Sequence, residues 1–125
     1  MKVIYIAGPY RAKTPFDIEQ NVRRAEEWSL NVARAGGVPL CPHTMNRFFY
    51  EAEGLTEDFV MSGCLALLER CNGALFIPGW EASEGARTEH RRAVALGIPC
   101  LELGRVAAPR VSPALIGFIR SIEGE

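Results

Sequence analysis

Four short apolar runs divide the chain, and glycine or proline bounds each of them. Residues 3–7 run without a polar break into Gly8-Pro9. Residues 38–41 lie between Gly36-Gly37 and Pro42-His43, and residues 74–77 between Gly73 and Pro78-Gly79. Residues 98–103 follow Gly97 and break at Gly104. Continuous rather than alternating hydrophobicity predicts strands covered on both faces, as in a parallel sheet. Helical spacing fills the intervals. Thr14-Pro15-Phe16-Asp17 reads as an N-cap, a proline in the first turn and the acid of a capping box. The inward stripe then falls on Ile18, Val22, Ala25, Ser29, Val32 and Ala33, with Gly36 as the stop. A second helix opens near Thr56 and turns Val60, Cys64, Leu67, Leu68 and Cys71 inward. A third covers about residues 83–96 and closes at Gly97. A last one starts at Ser112-Pro113, with Leu115, Ile116, Ile119 and Ile122 available for packing.

Strand and helix in alternation predict right-handed crossovers and a three-layer, doubly wound α/β fold of the flavodoxin or Rossmann type. Its sheet is expected to hold four to five mostly parallel strands in the order 2-1-3-4. At 125 residues and 13.8 kDa, residues 1–125 are expected to form a single domain, since two independent cores would not fit. A net charge of −1 leaves no basic field for a nucleic-acid polymer or an anionic membrane. The first apolar run is too short for a signal-peptide core, and no run approaches a membrane span, so a cytoplasmic location is expected. The four cysteines show no Cys-x-x-Cys pairing and read as reduced core thiols. Cys41-Pro42-His43 lacks further ligands at metal spacing, so neither a metal nor another cofactor is expected.

In a sheet of this kind the loops after the strands converge on one edge, where ligands bind. Those loops carry Gly8, Tyr10 and Arg11, then His43 and Asn46, then Trp80, Ser83 and Gly85. The mixture suits an anion attached to a flat aromatic group. Backbone N–H groups at the start of the third helix would hold a phosphate, with Ser83 adding a hydroxyl and Arg11 a charge. Tyr10 and Trp80 either sandwich a base or cover the core rim. His43 is either a ligand or proton carrier, or a hydrogen-bonded loop anchor. Arg87, His90, Arg91 and Arg92 read as a solvated basic face. Phe48-Phe49-Tyr50, in the loop before Leu55, reads as a lid or a subunit contact. Glu89 is the sharpest anomaly. At 100° per residue, Ala82, Gly85, Ala86, Ala93 and Leu96 all lie within about 60° of it, so a carboxylate sits on a face otherwise small or apolar. Either it occupies a pocket at the strand edge, or it frays to solvent or pairs with Arg92 or a helix dipole.

At these residues the chain resembles the nucleoside 2-deoxyribosyltransferase superfamily, and within it the deoxynucleoside 5′-monophosphate N-glycosidases and related small phage and bacterial proteins. The resemblance runs from Val3 to Leu103. It rests on Ile4-Tyr5-Ile6-Ala7-Gly8-Pro9-Tyr10-Arg11, Pro42-His43, Cys71-Asn72-Gly73-Ala74 and the block from Gly79-Trp80 to Thr88-Glu89. It implies that Glu89 is a carboxylate nucleophile attacking the anomeric carbon of a sugar, oriented by Tyr5. It also implies that Gly8 and Arg11 line the sugar-phosphate pocket while Ser83 and Gly85 hold the phosphate. Transferases of unphosphorylated nucleosides tend to carry Asp where Ser83 stands, which favours a nucleotide here. The chain departs from the pattern at Asn72, where an Asp is usual, and at Cys64, where many relatives have an acid. Asp58 is then the aspartate left to protonate a departing base, unless it only sets a favourable charge at a helix N-terminus. The implied function is cleavage or transfer of the N-glycosidic bond of a (deoxy)nucleoside 5′-monophosphate, by a homo-oligomer with the loop around Phe48 as candidate contact. The alternative is a nucleotide-binding sensor with the same pocket and no turnover. The loops lack the hydroxyl-rich composition of an FMN carrier, and no P-loop motif is present.

Overall fold

The structure, a computed structural model, describes residues 1–105 and 107–124, with Tyr50 described in its backbone alone. Four strands, β1 (Val3–Ala7), β2 (Val38–Leu40), β3 (Gly73–Phe76) and β4 (Cys100–Glu102), form one sheet in the order β2-β1-β3-β4. All three pairings are parallel. The helices are α1 (Pro15–Arg34), α2 (Pro42–Met45), α3 (Glu57–Leu68), α4 (Glu84–Ala95) and α5 (Pro113–Glu123), with 3-10 turns at Phe49–Glu51 and Trp80–Ala82. This is the expected doubly wound α/β architecture, with the expected strand order. Among the described residues, no helix is long and apolar enough to cross a membrane.

Side chains alternate across a strand, and that alternation separates two half-cores. Ile4 and Ile6 of β1 join Leu75 and Ile77 against Ala25, Trp28 and Val32 of α1 and Leu115 and Ile119 of α5. Tyr5 and Ala7 point the other way, with Ala74 and Phe76, against Cys64 and Leu68 of α3 and Ala93 of α4. This parity puts the Tyr5 phenol between sheet and helix on the α3–α4 side.

Local chemistry accounts for the boundaries. Thr14, Thr56, Ser83 and Ser112 each cap a helix by accepting a backbone N–H three residues on. Three differences from the sequence pattern have physical causes. The second strand ends at Leu40 because the Cys41 carbonyl accepts from Thr44 and Met45, starting a helical turn at Pro42 where a loop was expected. The last strand begins at Cys100 because the Ile98 N–H closes the end of α4 on the Ala93 carbonyl. In α1 the buried stripe is rotated towards Asn21 and Trp28 and leaves Ala33 exposed, since an indole buries far more area than a methyl group. At Gly8 the two central strands approach so closely that a Cβ would lie 2.3 Å from Ile77 Cγ1. Only glycine fits there.

Candidate active site

Glu89 lies on the sheet-facing side of α4 with Ala86 and Ala93, and all three are buried. The two alanines leave its longer side chain room to lie over β1. Only 7% of Glu89 is exposed, and its Oε2 accepts a hydrogen bond from the Tyr5 hydroxyl, which is fully buried. The helix therefore does not fray at this position, and the carboxylate does not pair with Arg92, which reaches Glu69 instead. Burial pushes the Glu89 carboxyl up to about 7, while the Tyr5 bond and the nearby His43 ring pull it down. Tyr5 is raised well above its ordinary value, first by burial and then by the adjacent carboxylate.

His43 lies beside this cluster on the short helix α2, directly after β2. Its Nε2 lies 2.9 Å from the Pro9 carbonyl, which can only accept, so Nε2 carries the proton. The ring is buried, and its Nδ1 has no hydrogen-bond partner among the described residues. Burial lowers the imidazole below its ordinary value, with the Pro9 carbonyl and the Glu89 charge acting the other way. Tyr10 meets His43 edge-on at 5.5 Å and directs its hydroxyl to the Arg47 carbonyl at 3.4 Å. The Tyr10 carbonyl accepts from Asn21 on α1, which anchors the first loop.

Other expected site residues are distributed more widely. Ser83 caps α4, its Oγ accepting from Ala86 at 3.2 Å, and Gly85 follows in the first turn. Asn46 is half-buried, and its amide lies 3.8 Å from the Cys64 thiol. Trp80 packs on Phe76 and stacks at 4.6 Å on His90, itself paired to Glu102, so its ring covers the core rim. Arg11 is exposed and ion-paired with Glu57 at the start of α3. Asp58 is exposed in the first turn of α3, where its charge suits the helix dipole. Arg87, Arg91 and Arg92 are exposed, as a solvated face requires, but His90 does not belong to that face, being half-buried against Phe76 and Trp80. Among the described residues, no group of three or more His, Cys, Asp or Glu side chains is placed to hold a metal ion.

The sequence did not show that Cys64 shares this cluster. Its thiol is raised by burial and by the Glu89 charge, and it interacts with the Tyr5 hydroxyl. The inward spacing of α3 marked Cys64 as core, but only the crossover that lays α3 beside α4 brings it to Tyr5. Asn72 has a different task. Its Oδ1 accepts the Val3 N–H at 2.8 Å and its own N–H donates to the Val3 carbonyl at 2.9 Å, fixing the start of β1.

Residues 2–103 match the model of a protein family described as a domain of unknown function, DUF7768. The chain belongs to the DUF7768 family. No curated protein matches it. Among solved structures, this DUF7768 chain is similar to a 2-deoxyribosyltransferase from the psychrotolerant bacterium Bacillus psychrosaccharolyticus, at a TM-score of 0.60 and 18% identity. The match covers 91% of the DUF7768 chain and 79% of the transferase chain. At that identity the two share a fold, and the chemistry has to be argued from the site.

Proposed function

We propose that this protein cleaves or transfers the N-glycosidic bond of a (deoxy)nucleoside 5′-monophosphate, with Glu89 as nucleophile. The observation that carries the reading is a buried carboxylate on α4 bonded to a buried tyrosine on β1, with the buried His43 ring nearby. The similarity in fold to a 2-deoxyribosyltransferase supports glycosyl chemistry in general.

The chemistry follows retaining glycosidases. Glu89 attacks the anomeric carbon as the bond to the base breaks, giving a glycosyl ester, and water or a second base then releases the sugar. The phenol of Tyr5 fixes one carboxylate oxygen and leaves the other to attack. Ser83 Oγ accepts from Ala86, so its own proton is free to donate to a phosphate oxygen at the start of α4. The attacking form is ionised, so turnover rises with pH through about 7.

Incubation with a panel of nucleoside and deoxynucleoside 5′-monophosphates should release free base, measured by chromatography. Glu89→Ala should lower that rate by about three orders of magnitude or more. Release unchanged in the variant would dismiss the mechanism. One observation favours a second reading, a nucleotide sensor without turnover. The neighbours of Glu89 include a thiol at Cys64 rather than a second carboxyl, and Asp58 is exposed on α3. Intact nucleotide recovered from a tight complex after long incubation would select that reading.

A further inference from the structure

His43 is only 7% exposed, and neither the attack by Glu89 nor the binding of a phosphate uses it. Strand β2 runs parallel to β1 with Leu40 opposite Tyr5, so the turn that follows carries His43 to the Tyr5–Glu89 pair. Its Nε2 donates to the Pro9 carbonyl and the Tyr10 ring meets it edge-on, which holds the imidazole from two sides. With the proton on Nε2, Nδ1 keeps a lone pair. Among the described residues, Nδ1 is the buried side-chain nitrogen or oxygen that has no hydrogen-bond partner. Buried acceptors are ordinarily paired, so this one awaits a donor that the chain itself does not supply. The other groups around Glu89 are not free to take a proton. The Tyr5 hydroxyl donates to Glu89, and burial and that carboxylate hold its proton on the phenol. Burial and the same charge keep the Cys64 thiol protonated at neutral pH. His43 lies close enough to Glu89 for each to shift the other's titration.

We propose that His43 Nδ1 is the general base of the second step, taking the proton of the water or incoming base that releases the sugar from Glu89. The inference rests on the reading of Glu89 as nucleophile. In that step the water oxygen bonds to the anomeric carbon while the bond from that carbon to Glu89 breaks, its electron pair returning to the carboxylate. The water proton passes to Nδ1 and is then lost to solvent. An incoming base gives up its N–H proton by the same route. Retaining glycosidases use a second carboxyl for this task, and a neutral imidazole offers the acceptor it requires. Burial lowers His43, so the resting ring is neutral and able to accept, while the Pro9 and Gly8 carbonyls favour the imidazolium once it forms. The Glu89 charge, regenerated in the same step, favours it too.

His43→Gln separates this role from loop anchoring, because a glutamine amide can donate to the Pro9 carbonyl but has no basic nitrogen. Mixed with an excess of a monophosphate that the parent cleaves, the variant should release one equivalent of base in a burst. It should then turn over at least a hundredfold more slowly than the parent. Intact-mass spectrometry should find the sugar phosphate on the protein, and azide, which has no proton to lose, should restore turnover by forming the glycosyl azide. A variant as fast as the parent would overturn the assignment. So would one that slows equally in first and later turnovers, carries no sugar, or is not accelerated by azide. A parent that releases no base from any monophosphate would dismiss the Glu89 reading, and this one with it. A second measurement needs neither turnover nor the variant. In nitrogen-15 NMR of the parent at pH 8, with the chain's two histidines told apart by His90→Gln, His43 should be protonated at Nε2 and bare at Nδ1. The opposite tautomer would overturn the proposal.

Discussion

Glu89, the proposed nucleophile, is also a buried carboxyl whose titration bears on stability. Its carboxyl titrates near 4.5 when exposed and at about 7 here. Below pH 4.5 the folded and unfolded chains are both protonated at this site. Between 4.5 and 7 the unfolded chain ionises first, so stability falls as pH rises, and above 7 the full loss of about 3 kcal/mol is present. Glu89→Gln removes that titration. The melting temperature of the variant minus that of the parent should therefore increase on the order of 10 °C between pH 4.5 and pH 8. His43, lowered by burial, contributes with the opposite sign and is common to both proteins. An equal difference at both pH values would show that Glu89 is solvated. The anomaly of this residue was legible in the sequence because helical geometry alone placed it among alanines. Asn46 was legible too, as a residue of the loop after the second strand, but the approach of Cys64 to Tyr5 comes through a crossover that local spacing does not encode.

At the start of α4 a helix cap coincides with the proposed phosphate site. Ser83 is its N-cap, so Ser83→Ala should cost about 1 kcal/mol of stability. Ser83→Asp separates the two roles. Aspartate caps as well as serine, so stability should be kept, but its charge would stand where the proposed phosphate binds. The Asp variant should lose activity on monophosphates far more than on the matching nucleosides, measured as kcat/KM for each. Equal losses on both would remove the phosphate from this position. Four helices begin where the sequence pattern put them, because Thr14, read as a cap, and Thr56, Ser83 and Ser112, read only as starts, all cap locally. Strand ends were read one or two residues too long at positions 41 and 98. There the backbone groups are claimed by a helical turn and a helix end, and hydrophobicity does not report which carbonyl an N–H chooses.

For the whole molecule, the question is whether the two half-cores are independent. Each contains its own helices, but β1 and β3 contribute alternate side chains to both faces, so neither face can open while the central strands hold. The cysteines report on this directly. Cys41 lies in the α1–α5 half-core, and Cys64 and Cys71 lie in the α3–α4 half-core. All three are buried free thiols. Burial raises Cys64, and it raises Cys71 to about 11, so little reactive thiolate is present even where solvent reaches. In a Cys100→Ser background, labelling by a thiol reagent followed by peptide mass spectrometry should find all three modified with the same opening free energy, equal to that of global unfolding. Cys41 labelling at lower free energy than Cys64 and Cys71 would mean that the α1–α5 layer peels away from an intact sheet. The parallel pairing argues against that outcome, because exposing Cys41 at the end of β2 removes the cover from Ile4 and Ile6, and those residues anchor the strand that carries Tyr5 to Glu89.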